Sequence, residues 1–128
     1  MKEKSYPQPT ESELEILSIL WDKGPSTVRF VNDELNKKRK VGYTTTLKIM
    51  QIMHEKKLVY RELNGRLHIY SSNIEEKAIQ NRLIDKILDS AFGGSASRLI
   101  LQTLGNRKAS IEELKEIKEL IKKIEKDQ

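Results

Sequence analysis

At 128 residues the chain has room for one domain, or for a small reading head with a helical arm, and it is too short for most two-domain enzymes. Its 37% hydrophobic, 34% charged and 5% aromatic residues describe a soluble, helix-rich chain with a core of Leu, Ile and Met, and they argue against disorder. It has no cysteine, which excludes disulfides, thiolate nucleophiles, thiolate metal sites and thiol redox sensing; the net charge of +5 permits a nucleic-acid partner without requiring one.

Thr10 is placed as a helix N-cap, with Glu13 three residues on to close a capping box, and Leu14, Leu17, Leu20 and Trp21 follow at helical spacing. Gly24-Pro25 stops this helix. Ser26 or Thr27 opens a second, with Val28, Val31 and Leu35 inward, which fades into Lys37-Lys38-Arg39-Lys40 and Gly42. A third helix is predicted from about Thr44 to Lys56. Leu58 to Leu63 and Arg66 to Tyr70 then flank Asn64-Gly65, the strongest short-range hairpin signal, in which both turn residues take positive φ. Such a turn pairs Leu63 with Arg66 and puts Val59, Arg61, Arg66, His68 and Tyr70 on one face.

Beyond residue 72 the pattern is helical only. Asn73 with Glu76 reads as a cap ahead of an Ile79, Leu83, Ile87, Ala91 stripe, which Phe92-Gly93-Gly94 interrupts. A short helix from about Ser95 to Leu104 precedes Gly105. Ser110 with Glu113 then caps a last helix carrying Ile111, Leu114, Ile117, Ile121 and Ile124. The expected fold is therefore mainly α with a small β-hairpin wing: a winged helix-turn-helix over residues 1–72 and a helical dimerisation domain over 73–128.

Three short helices followed by a hairpin is the winged variant of the helix-turn-helix, whose third helix enters the major groove while the wing lies over the adjoining backbone. At steps of ~100° per residue, Tyr43, Thr46, Leu47, Met50, Met53 and Leu58 gather on one side and form the expected core face. Thr44, Thr45, Lys48 and Ile52 gather on the other. Hydroxyls for phosphates or base edges, an amine for phosphate or guanine and an aliphatic group for a thymine methyl make that second set a reading face. Arg61 and Arg66 in the wing, and Lys38 and Arg39 ahead of the third helix, are candidate phosphate contacts. The excess of positive charge supports this placement: residues 1–72 carry 13 Lys and Arg against 9 Asp and Glu, whereas 73–128 carry 11 against 10.

The runs Pro9-Thr10-Glu11-Ser12-Glu13-Leu14-Glu15-Ile16-Leu17, Leu20-Trp21, Gly24-Pro25-Ser26-Thr27-Val28-Arg29 and Gly42-Tyr43-Thr44-Thr45-Thr46-Leu47-Lys48-Ile49-Met50 resemble the penicillinase-repressor family of BlaI/MecI type. The likeness continues through Leu58-Val59, Gly65-Arg66, His68-Ile69-Tyr70 and Ala91-Phe92-Gly93-Gly94-Ser95, so it spans nearly the whole chain. What the resemblance implies is a dimeric repressor of palindromic, double-stranded operator DNA, released when a membrane-embedded metallopeptidase sensor triggers cleavage of an Asn-Phe bond. The corresponding positions here read Gln102-Thr103. The related copper-responsive repressors of CopY type bind metal through C-terminal cysteines, and this chain has none.

The apolar stripe of the last helix needs cover, either from its own chain's helices at residues 74–104 or, as expected here, from a mixed intra- and intersubunit core in a homodimer, with Leu83, Ile87, Leu99, Leu114, Ile117 and Ile121 as the expected contacts. No run approaches the ~20 apolar residues of a membrane span, so a cytoplasmic protein without membrane insertion is expected. No cofactor, metal site or catalytic residue is expected, because His54 and His68 have no acid or nucleophile beside them in sequence. The competing assignments are a winged helix that binds protein, since fold alone does not settle function, and a regulator with a non-proteolytic inducer.

Overall fold

A computed structural model describes residues 6–106 and 109–128; Met1 to Ser5 of the polar leading stretch lie outside the described residues. The chain divides into two compact units, one through Asn81 and one from Arg82.

In the first unit, α1 (Glu11–Lys23) starts at the capping box expected from its sequence. Thr10 Oγ1 accepts from the Glu13 N–H at 3.1 Å and Glu13 Oε1 accepts from the Thr10 N–H at 2.9 Å. Gly24, at φ 85°, ends it. Thr27 caps α2 (Val28–Asn36), its Oγ1 accepting from the Phe30 N–H at 3.1 Å. Between these helices Ser26 exchanges two backbone hydrogen bonds with Tyr70, at 2.9 and 2.8 Å. This one-residue bridge ties the helical layer to the hairpin, and no periodicity announces it.

The turn from α2 to α3 (Tyr43–Glu55) is held by a polar network. Asn32 Nδ2 donates to Thr46 Oγ1 at 2.8 Å and to the Val41 carbonyl at 3.1 Å, and Asn36 both donates to that carbonyl (2.8 Å) and accepts from the Val41 N–H (3.1 Å). Asn32 and Thr46 are buried, so these groups have little water to replace the bonds. At the far end of α3 the chain turns with Lys57 at φ 68°. The Leu58 N–H reaches the Met53 carbonyl (2.9 Å) and the Lys57 N–H the His54 carbonyl (3.1 Å), the paired bonds of a Schellman motif. Met53 and Leu58 are both fully buried, which supplies the apolar contact that accompanies it. Lys56 Nζ lies 2.7 Å from Glu13 Oε2, joining the end of α3 to the start of α1.

The core of this unit packs Ile16, Leu17 and Leu20 of α1, Val31 and Leu35 of α2, and Met50 and Met53 of α3 against Val59 and Tyr70 of the hairpin. Burial of that many aliphatic side chains is what holds three helices of 13, 9 and 13 residues that would be marginal alone. Tyr43, expected on the core face, is instead exposed. It sits at the first turn, where the helix overhangs the core.

Strands β1 (Val59–Asn64) and β2 (Leu67–Ser72) form an antiparallel pair in which Asn64 faces Leu67 and Leu63 faces His68. The turn is thus Gly65-Arg66, not Asn64-Gly65: glycine occupies the first central position at φ 70°, and Arg66 needs no positive φ. The register moves by one residue on each strand, an even total, so Val59, Arg61, His68 and Tyr70 still share a face. Arg66 moves from the paired strand into the turn. Asn73 is not a helix cap as expected; α4 (Glu76–Ala91) starts three residues later, and Asn73 Nδ2 donates to the Lys57 carbonyl at 3.1 Å. The Trp21 indole N–H is shared by Ser72 Oγ (3.0 Å) and the Ile74 carbonyl (2.9 Å), which fixes the chain's exit from the wing.

The second unit holds the rest of α4, then α5 (Ala96–Asn106) and α6 (Ile111–Lys126). Gly93 and Gly94, at φ 58° and 79°, make the break after α4. Helix α5 runs through Gly105 instead of stopping before it. Ser110 and Glu113 form a second capping box, with both bonds at 2.9 Å. Among the described residues from Arg82 onward, no side chain is buried.

Candidate nucleic-acid interface

Because the buried face of α3 is anchored by Thr46, Met50 and Met53, the 3.6-residue repeat turns Thr44, Thr45, Lys48 and Ile52 outward, and all four are exposed. Gly42 is the N-cap and offers no side chain to bond the first N–H groups of α3. That end therefore presents backbone donors and the positive end of the helix dipole beside the Thr44 and Thr45 hydroxyls. Lys48 forms no ion pair among the described residues, so its charge is uncompensated.

Between α3 and the wing lies a groove of about 280 Å³ whose lining includes Arg29, Tyr43, Gln51, Arg61, Arg66 and His68. Arg29 comes from the start of α2, and its guanidinium stacks 4.6 Å from the centre of the Tyr43 ring. That contact seats the guanidinium at the groove wall through its face, which leaves the N–H groups at its edge for other partners. Arg61 is half-buried; its Nη1 donates to Tyr70 Oη at 3.2 Å, and its guanidinium lies 6.0 Å from the Tyr70 ring centre. His68 meets the same tyrosine edge-on, with ring centres 6.4 Å apart. Three arginines from two elements distant in sequence thus converge on one concavity, with no carboxylate in its lining. Such a surface concentrates positive potential where a polyanion's backbone would run.

The cations ahead of α3 are disposed differently. Arg39 Nη1 is 2.6 Å from Glu15 Oε2, and Lys37 Nζ is 2.8 Å from Glu34 Oε2. Donation to the Glu15 carboxylate holds the Arg39 guanidinium pKa above its ordinary value, and the hydrogen bond that Glu34 accepts from Lys37 holds Glu34 below the usual carboxylate range. Lys38 is exposed and lines a second groove, between α1 and α2, together with Glu15, Asp22, Lys23 and Glu34.

The sequence profile described as Penicillinase repressor matches residues 9–123, from the capping residues of α1 to the last turns of α6. The chain belongs to the penicillinase repressor family. Within it, the chain is similar to the Penicillinase repressor of Bacillus licheniformis, 24% identical over 118 residues that cover 92% of either protein. It is also similar to the Methicillin resistance regulatory protein MecI of Staphylococcus aureus, 20% identical over 96% of this chain and 99% of that one. Among solved structures, the Bacillus licheniformis BlaI monomer in complex with the blaP half-operator aligns at TM-score 0.51 and 25% identity, over 59% of this chain and 92% of the other. A MarR family protein from Bacillus stearothermophilus aligns at TM-score 0.50 and 19% identity, over 92% and 74%, and shares the fold. A family of transcriptional repressors is not a family of enzymes, and the fold is the winged helix expected from the sequence.

Within this family member the structure brings Arg61 and Arg66 together at the groove, keeps Thr44, Thr45, Lys48 and Ile52 on one outward face, and places Arg39 on Glu15. Arg29, Tyr43 and Gln51 at the groove were not legible as site residues. For Arg29 a signal existed, since it follows the Thr27 cap by two positions, where a helix start points at phosphate. For Tyr43 helical spacing argued for the core instead. In the second unit Leu83, Leu99 and Ile117 are half-buried, and Ile87, Leu114 and Ile121 are exposed. Among the described residues no three His, Cys, Asp or Glu side chains are grouped to hold a metal ion, and no helix is long and apolar enough to cross a membrane.

Proposed function

We propose that this chain is a homodimeric winged-helix repressor of palindromic, double-stranded operator DNA. In this reading residues 1–72 are the reading head. Thr44, Thr45, Lys48 and Ile52 enter the major groove, Arg61 and Arg66 follow the backbone from the wing, and Lys38 and Arg39 meet phosphates ahead of α3. Arg29 joins them from the start of α2. The observation that carries the reading is the adjacency of the outward α3 face to a groove walled by Arg29, Arg61 and Arg66. A half-operator bound to the similar BlaI monomer supports the same choice of ligand.

Residues 73–128 serve as the dimerisation domain in this reading. Support comes from the tail itself: Ile111 is 81% exposed, and Ile87, Ile100, Leu101, Leu120, Ile121 and Ile124 are exposed with it. From Arg82 onward no described side chain is buried, and that much exposed apolar surface is suited to cover by a second copy. Dimerisation sets two recognition helices against half-sites about 34–36 Å apart or a multiple of that spacing.

Release through a membrane metallopeptidase sensor is the regulatory step that family membership favours. A second reading, a non-proteolytic inducer, is favoured by a specific observation. Gln102 and Thr103 lie inside α5, where Thr103 Oγ1 donates to the Leu99 carbonyl at 2.7 Å, and a bond inside an intact helix must unfold locally before a protease can cut it.

The test is anisotropy of a labelled duplex against salt. Wild-type protein should lose affinity steeply as salt rises, and Lys48→Ala should reduce the salt exponent by about 0.9, the loss of one phosphate contact. Unchanged duplex binding by both Lys48→Ala and Arg66→Ala would instead favour a winged helix that binds protein.

A further inference from the structure

The cationic run ahead of α3 is partly neutralised from within. Lys37 and Arg39 are two of its four positive charges, and each is held by a carboxylate, from Glu34 and Glu15 respectively, at 2.8 and 2.6 Å. Glu34 is a neighbour one helical turn away, whereas Glu15 reaches across from α1. The Arg39 partnership is therefore a tertiary one, built by the fold. Lys37 is largely exposed and Arg39 about half exposed, and surface pairs of this kind are held weakly enough for another anion to compete.

Arg39 is also close to the reading face by chain length. Thr44 is five positions further on, which limits their Cα separation to about 18 Å, within reach of phosphates flanking a groove entered by α3. A guanidinium accepts a carboxylate or a phosphate in the same forked geometry, so one can replace the other without rearranging the arginine.

Resting on the DNA-binding reading above, we propose that Glu15 is a specificity determinant: an internal stand-in for phosphate that occupies Arg39 in the free protein. On a duplex docked in the productive register a backbone phosphate takes the place of the Glu15 carboxylate. On a poorly docked duplex the ion pair persists, and Arg39 adds little to non-specific binding. Charge that would otherwise attract any polyanion is thereby reserved for correct docking.

The experiment uses the full chain and a fluorescein-labelled random-sequence duplex, titrated between about 50 and about 200 mM salt. Glu15→Gln should bind that duplex about two- to five-fold tighter at low salt, with a salt exponent larger by about 0.9 because one more phosphate is engaged. The gain should vanish in the Glu15→Gln/Arg39→Gln double variant, and Glu116→Gln on α6, which makes the same change in net charge, should show none. Glu15→Gln indistinguishable from wild type, or a gain that survives loss of Arg39, overturns the inference while leaving DNA binding intact. A wild-type chain with no salt-dependent duplex binding overturns the DNA reading and this inference with it.

Discussion

Replacing Thr46 by Val removes one hydroxyl from the fully buried side of α3 at almost constant volume, and so isolates the polar network that sets this helix against α2. Thr46 Oγ1 accepts from Asn32 Nδ2 at 2.8 Å, and the other Nδ2 hydrogen serves the Val41 carbonyl at 3.1 Å. With valine in place, one Asn32 donor is left unpaired at a site only 6% exposed. An orphaned buried donor costs about 1–3 kcal/mol, and some relaxation toward solvent near the turn places the expected loss at about 1–2 kcal/mol. For a unit of this size that lowers Tm by roughly 5–15 °C. The assay is urea unfolding at fixed protein concentration followed by fluorescence of Trp21, the chain's one tryptophan, whose indole is bonded within the first unit. Asn32→Ala and the double variant complete a cycle, in which coupling of about 1 kcal/mol is expected between two bonded partners. Stability changes that simply add, or a Thr46→Val variant within about 0.3 kcal/mol of wild type, would refute the claim that this bond holds α3 against α2.

Two further substitutions test other parts of the molecule. Lys57 holds a left-handed backbone at the Schellman turn of α3, so Lys57→Gly should stabilise the protein by about 0.5–1 kcal/mol net of the extra freedom glycine gains when unfolded; destabilisation in urea titration would show that the lysine side chain contributes more than its backbone costs. Leu114→Glu or Ile121→Glu puts a charge on the stripe of α6 and should convert a dimer to monomer in sedimentation, with a parallel loss of operator affinity, whereas an unchanged sedimentation coefficient would remove these residues from the interface.

Local signals explain why much of the fold was readable in advance. The capping boxes at Thr10/Glu13 and Ser110/Glu113 each need residues three apart, and both formed as expected. The outward set on α3 followed from a period that one buried face is enough to fix. The hairpin shows where such reasoning stops: Asn64-Gly65 and Gly65-Arg66 both offer a glycine to a tight turn and leave Tyr70 on the same face, so facial alternation does not choose between them, and the chain takes the second. The arginine groove was less legible still. Arg29 and Arg66 become neighbours only once the Ser26–Tyr70 bridge and the three-helix core have formed, and no window along the chain contains both. The Glu15–Arg39 pair is hidden for the same reason.

Helix α3 is held at both ends by groups outside its Thr44, Thr45, Lys48 and Ile52 face: the Asn32–Thr46 bond near its start, and the Glu13–Lys56 pair with its left-handed backbone stop at its finish. The surface that would meet DNA therefore carries none of the burden of keeping the helix in place. Thr44, Thr45, Lys48 and Ile52 can be rewritten as a set, as one changes the type in a fixed printing frame, without disturbing the frame itself. A chain built this way lends itself to respecification, since new outward residues inherit an alignment already guaranteed from below.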